Sequence, residues 1–249
     1  MTQVSADFET GVNGATIATT DTGSATAFDA VFTTPTNGIA VYDTTHVAFG
    51  SLAAKLGANA SGAANAYVTW STALGTVTDH FGRLYLYLTA YGSGNIPIIW
   101  AGQGTTRGCR VDFTSTGKLA GFDNAGAALF TTFTNAIPLN QLVRIEWHFV
   151  CSATVGQGEV KLFNTASSTT PTETQTGTAT KNTLANHTAV KIGVGPNGEG
   201  SLTANGVLWM DNIIAGATSY PGPFVSSSTS NLALASSAGL FLKQKGLRK

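Results

Sequence analysis

The sequence predicts an all-β protein, an antiparallel β-sandwich of the jelly-roll kind, on three observations. Apolar and polar residues alternate with period two in segment after segment, as they do on half-buried strands. Turn signals such as Gly92-Ser93-Gly94, Ser115-Thr116-Gly117 and Pro196-Asn197-Gly198 punctuate those segments at roughly 8–12-residue spacing. Only His46–Ala58 ("HVAFGSLAAKLGA") could hold a helical turn or two, and Gly50 and Gly57 argue against a longer helix.

Taken in chain order, "RLYLYLT" (Arg83–Thr89) reads as a strand with Leu84, Leu86 and Leu88 on one face and Tyr85 and Tyr87 on the other. "CRVDFTSTGKLAGFDNAGAALFTTF" reads as three short strands joined by two hairpins. "RIEWHFV" places Ile145, Trp147 and Phe149 on an apolar face and Arg144, Glu146 and His148 on an exposed polar row. Trp100 and Trp209 stand in apolar strings and read as core. No fixed-period repeat is visible. After "YPGPF" the chain turns Ser-rich, so the reading is a jelly roll over residues 1–223 and a linker with a docking tail over 224–249. Leu240, Phe241, Leu242, Lys243, Lys245 and Arg248 are the residues expected to dock on a partner.

Composition narrows the function. The 249 residues are 43% hydrophobic and only 10% charged, with 29 glycines, which suits a packed β core whose surface is Thr, Ser and Asn. The charge is formally +0, but the last seven residues "KQKGLRK" are basic and the body is mildly acidic, which is no footprint for nucleic acid. The first residues lack the basic and apolar regions of a secretory signal, and "NLALASSAGLFL" is too short and Ser-rich to span a bilayer. Cys109 and Cys151 are expected to be free and buried.

Chemistry-bearing spellings are missing: no G-x-S-x-G, H-E-x-x-H, phosphate-cradling loop or C-x-x-C occurs. A retaining sugar hydrolase needs two carboxyls about 5 Å apart, which E-x-D on one strand would supply, and neither E-x-D nor E-x-E is present. The expectation is a non-enzyme with no catalytic residues. Tyr85, Tyr87 and Tyr91 are the candidates for stacking on a sugar. Asp211 is a single acid inside the apolar run "GVLWMDNIIAG" and needs a partner. If the first and last strands are neighbours, Glu9 or Asp7 of "ADFETG" meets it, and structural Ca²⁺ between Glu9 and Asp211 would relieve the repulsion. The alternative is that Asp211 caps backbone N–H groups where the last strand bends.

In order, "DFETGVNGATIATTDTGSATAFDAV", "YDTTHVAFGSLAAKLGA", "RLYLYLTA", "VDFTSTGKLAGFDNAGAAL", "IPLNQLVRIEWHFV", "GEVKLFN" and "GVLWMDNIIAG" resemble the concanavalin A-like (laminin G-like) jelly-roll domains. The resemblance is strongest to those in minor tail and capsid-decoration proteins of phages infecting actinobacteria. It covers about Ala6 to Pro223. The "FE…G" and "D-N-I" elements also look like those of carbohydrate-binding modules, where such a Glu and Asp hold Ca²⁺. The resemblance implies a virion structural protein, assembled in the host cytoplasm and present in multiple copies. Its partners would be other virion proteins through the tail and cell-envelope glycans, with neither nucleic acid nor membrane. A stand-alone carbohydrate-binding module, or a hydrolase or lyase of the same fold, is the alternative.

Overall fold

A computed structural model of the chain describes residues 2–20, 26–203 and 205–225. The proposed docking residues, Leu240 to Arg248, lie outside the described residues. Among the described residues fifteen strands follow one another: β1 (Val4–Ala6), β2 (Ala30–Thr33), β3 (Gly38–Asp43), β4 (Ala53–Ala58), β5 (Ala66–Trp70), β6 (Asp79–Leu88), β7 (Ile96–Gln103), β8 (Thr106–Phe113), β9 (Leu119–Asp123), β10 (Ala128–Phe130), β11 (Leu142–Val150), β12 (Gln157–Phe163), β13 (Glu173–Thr176), β14 (Ala189–Val194) and β15 (Val207–Ala217). One 3₁₀ turn, Pro196–Gly198, interrupts them. No described helix is long and apolar enough to cross a membrane.

All pairings are antiparallel and form two sheets. The eight-stranded sheet runs β13-β12-β11-β6-β15-β4-β3, with β1 added beside β15. The seven-stranded sheet runs β10-β9-β8-β7-β14-β5-β2. First and last strands are neighbours, as expected: Val4 faces Ala215 and Ala6 faces Ile213. Alternation fills the space between the sheets, with Leu84, Leu86, Ile145, Trp147, Met210, Val68, Ile192 and Val111 fully buried there.

Three sequence expectations are corrected. Ala53–Ala58 is a strand and not a helical turn, because β3 and β15 pair it on both edges and satisfy its backbone. Arg144 and Glu146 share a face as expected, yet they are buried, at 1% and 2% exposure. The connection after β12 roofs them. Arg144 donates to the Ala166 carbonyl and, at 2.7 Å, to that of Ser168, while its guanidinium covers Phe163 and contacts Glu146 at 2.9 Å. Trp100 and Trp209 are buried, but on the outer sheet faces, under Lys191 and beside Lys55, and not between the layers.

After β15 the chain doubles back as a strap over the outer face of the eight-stranded sheet. Arg83 donates to the Gly222 carbonyl at 2.8 Å, and the Phe224 N–H donates to the Tyr85 hydroxyl at 2.7 Å. Tyr220 donates to Glu159 at 2.5 Å and lies under the Lys161 ammonium, 3.5 Å from its ring centre. Phe224 packs on Phe49.

Candidate functional site

The outer face of the seven-stranded sheet carries a groove of about 350 Å³ at its β2 end. Outward residues of three paired strands build it. Phe32 of β2 lies opposite Tyr67 of β5, and Tyr67 opposite Gly193 of β14. In the next row Ala30 faces Thr69, and Thr69 faces Lys191. Gly193 has no side chain, and an added Cβ there would sit 2.7 Å from that of Tyr67, so the tyrosine is free to lean over β14.

Phe32 and Tyr67 stack with ring centroids 4.8 Å apart and planes 19° apart. Phe32 stays 40% exposed, rare for a large apolar side chain among the described residues. Thr69, Ser71, Thr188 and Lys191 add hydroxyls and one ammonium along the groove. Hydrogen bonds brace the platform. Asp29, next to Ala30, accepts the Ser71 and Thr72 N–H groups at 2.6 and 3.0 Å. Burial opposes its charge, but these donors prevail and hold the carboxyl below its ordinary value. Lys191 donates to the Asn197 amide oxygen at 3.0 Å over the Trp100 ring, and burial lowers its pKa. Burial raises that of Tyr67, against the Asn197 backbone N–H.

Such an arrangement suits a ligand with an apolar face and a hydroxylated rim. The exposed Phe32 ring, backed by the buried Tyr67, offers a flat apolar surface, and the Thr, Ser and Lys side chains offer donors and acceptors around it. Farther along the same face, Glu199 contacts both Arg107, at 2.6 Å, and Arg110, and Arg110 lies 2.8 Å from Asp112. Burial pushes the Asp112 carboxyl up to about 6 despite that arginine. The two acids come together from separate elements, but each is held by guanidinium and neither lines the groove.

The three tyrosines read from the sequence divide. Tyr85 is fully buried beneath the strap, and its hydroxyl receives Phe224. Tyr91 packs over Gly117 and donates to the Ile137 carbonyl at 2.5 Å. Tyr87 is half-buried, stacked on His46 with centroids 3.7 Å apart and edge-on to Trp209. No two of them meet at one surface groove, so they do not form a joint stacking platform. Phe32, Thr69 and Lys191 were not singled out by the sequence. The signal was the opposite phase of Phe32 to Val31 and of Tyr67 and Thr69 to Val68 and Trp70. Only strand pairing shows that these phases join.

Glu9 and Asp211 do approach the same place. Asp211 accepts the N–H groups of Ala48 and Phe49 at 2.9 and 3.0 Å on one oxygen and that of Asn212 at 2.6 Å on the other. Glu9 accepts Ser51 and Leu52 at 2.9–3.0 Å. The loop between them turns at Gly50, whose φ is +81° and where a Cβ would sit 2.3 Å from the Glu9 carboxyl. Burial pushes Asp211 up to about 7, and the Glu9 charge adds to this. The donor set fits a cation poorly, since amide hydrogens already occupy both carboxylates. This geometry supports the capping alternative. Both cysteines are free, with Cys109 buried and Cys151 half-buried.

No protein-family model matches the chain, and no curated protein does. Several solved structures are similar. The cellulose induced protein Cip1 is 20% identical with a TM-score of 0.53, over 86% of this chain and 97% of that one. Trypanosoma rangeli sialidase in complex with sialic acid is 11% identical with a TM-score of 0.51, over 90% of this chain and 31% of the sialidase. The binding domain of botulinum neurotoxin serotype D is 8% identical with a TM-score of 0.50, over 90% and 49%. The likeness is one of fold. This chain spans about half of that neurotoxin domain and under a third of that sialidase.

Proposed function

We propose that the protein is a non-enzymatic glycan-binding β-sandwich whose ligand lies in the groove over Phe32 and Tyr67. The carrying observation is that stacked pair, 4.8 Å between centroids, kept open on a face lined by Thr69, Ser71, Thr188 and Lys191. A pyranose ring has an apolar C–H face for the aromatics and equatorial hydroxyls for the rim. The fold shared with a sialic-acid-bound sialidase adds to this reading. The nearest converging acids, Asp112 and Glu199, are spent on Arg107 and Arg110, which supports binding without turnover.

The setting belongs to the same proposal. The ordered motifs that resemble actinobacterial phage virion proteins support a module carried in several copies on a particle, with cell-envelope glycans as ligand. The chain is a minor tail or capsid-decoration protein in this reading. The test is a glycan array on the purified chain, followed by titration of the best ligand against Phe32→Ala. Binding that Phe32→Ala abolishes supports the groove. Binding to no glycan, or binding indifferent to Phe32, overturns it.

A further inference from the structure

Three short stretches meet at one end of the core: the start of β6, the end of β11 and the connection 183–187. His80 points inward from β6, its Cα paired with Phe149 of β11. His187 bridges Val77 through both backbone groups, at 2.8 and 2.9 Å. Cys151 follows β11, its N–H donating to the Thr78 carbonyl at 2.7 Å. Ligand-capable atoms of His80, His187 and Cys151 all lie within 4.8 Å of one another. Both imidazoles have zero exposure, and Cys151 is half-buried as a residue, so the cluster is an interior one near the edge of the core.

Protons around the two rings can be placed by elimination. The Thr183 carbonyl lies 2.9 Å from His187 Nε2 and can only accept, so Nε2 carries the hydrogen and Nδ1 is bare. His80 Nε2 lies 2.9 Å from that Nδ1 and must donate to it. The remaining nitrogen, His80 Nδ1, is then a buried lone pair, and it has no hydrogen-bond partner. That bare Nδ1 is the atom able to take up the ring proton when Nε2 is freed. An imidazole whose far N–H is fixed by a backbone carbonyl is the usual arrangement of a metal-ligating histidine. Opposite the pair, Gly108 of β8 leaves room for the ring, since a Cβ there would sit 2.3 Å from His187 Nε2.

We propose that His80, His187 and Cys151 form a three-ligand site for a borderline transition-metal ion, with Zn²⁺ as the fitting type. Two imidazole nitrogens and one thiolate are among the preferred ligands of Zn²⁺. Tetrahedral bonds of about 2.0–2.1 Å set two nitrogens about 3.3 Å apart. The present 2.9 Å contact therefore needs to open by only about 0.4 Å. On binding, the His80 proton moves from Nε2 to Nδ1, and the freed Nε2 and His187 Nδ1 bond the ion. The Cys151 thiol gives its proton to water as the sulfur–metal bond forms. Burial keeps both rings neutral, with His187 lowered to about 4, so neither needs to lose a charge first.

The metal-free full chain should be titrated with Co²⁺ and then Zn²⁺. One equivalent of Co²⁺ is expected to give a thiolate-to-metal charge-transfer band that Zn²⁺ bleaches. Cys151→Ser, at a half-buried position, should abolish the band and weaken Zn²⁺ at least about 100-fold, because even outer partners of metal ligands are worth 10–100-fold. Cys109→Ala should retain both. Zn²⁺ at 100 times its Kd should raise Tm by about 5–10 °C in the natural chain and leave Cys151→Ser unmoved. No band in the natural chain, or a band that survives in Cys151→Ser, overturns the proposal.

Discussion

Phe32 lies on Tyr67 with ring planes only 19° apart, and the pair joins an edge strand, β2, to its neighbour β5 on the outside of the sandwich. An aromatic pair across strands stabilises a sheet by under about 1 kcal/mol when water can reach it. Its exposure is therefore poorly explained by folding alone.

Phe32→Ala should weaken glycan binding at least about 10-fold, a loss of roughly 1.4 kcal/mol, while changing Tm by only a few degrees. Tyr91→Phe, which removes the bond to the Ile137 carbonyl, should cost about 1 kcal/mol of stability and leave affinity unchanged. Calorimetric titration of both variants measures the contrast. Equal losses from both would mean that the face is not the binding surface.

Gly50→Ala should destabilise by about 2–4 kcal/mol, on the order of a 10 °C fall in Tm. Two costs combine: a left-handed backbone at φ +81° and a methyl pressed into the Glu9 carboxyl. The second cost detaches Glu9 from the Ser51 and Leu52 amides. A thermal melt within 1–2 °C of the natural chain would show that this loop is not held as described.

If the amides of residues 48–52 are what hold Glu9 and Asp211, the loop needs no calcium. EGTA, which prefers Ca²⁺, should leave Tm unchanged, and added Ca²⁺ should not raise it. A shift of several degrees would instead establish the cation expected from the sequence.

Asp211 also sets a pH dependence. Its folded value, about 7, lies above the ordinary 3.8, so between those values the folded chain holds a proton that the unfolded chain has released. Its contribution is complete below about pH 4 and is lost as pH rises through 7. Relative to Asp211→Asn, the natural chain should lose stability over that window, by up to roughly 1.4 kcal/mol per unit of the shift. His80 and His187 act oppositely, losing stability as pH falls below 6.5, but they do so in both proteins. Urea melts at pH 4, 5.5 and 7 give the difference, and a constant difference would remove the titration from Asp211.

Arg144→Ala leaves Glu146 buried without its partner and should cost about 3–5 kcal/mol. The double variant Arg144→Met, Glu146→Leu should recover most of that loss. Denaturant midpoints that fail to recover would locate the cost in the Ala166 and Ser168 carbonyl contacts instead.

Strand character was legible because side-chain alternation and turn residues are local. Leu84, Leu86 and Leu88 fall inward as their spacing requires, and the two hairpins between β8 and β10 sit where their glycines place them. Burial of Arg144 and Glu146 was not legible, because the roof over them comes from residues 165–168, across a strand turn. Burial of Tyr85 was not legible for the same reason: the strap that covers it comes from residues 218–225. Asp211 was singled out correctly as needing a partner. Its partners proved to be amides of residues 48 and 49, in a stretch where the sequence allowed at most a helical turn or two, and amides carry no side-chain signature. Phe32 and Tyr67 lie more than 30 positions apart, and only the pairing of β2 with β5 joins them.

The strap gives the molecule a front and a back. The strap, residues 218–225, lies on the outside of the eight-stranded layer, whereas Phe32 and Tyr67 occupy the outside of the opposing layer, with the whole hydrophobic interior between. A bulky group fixed to the strap would therefore leave the aromatic platform uncovered.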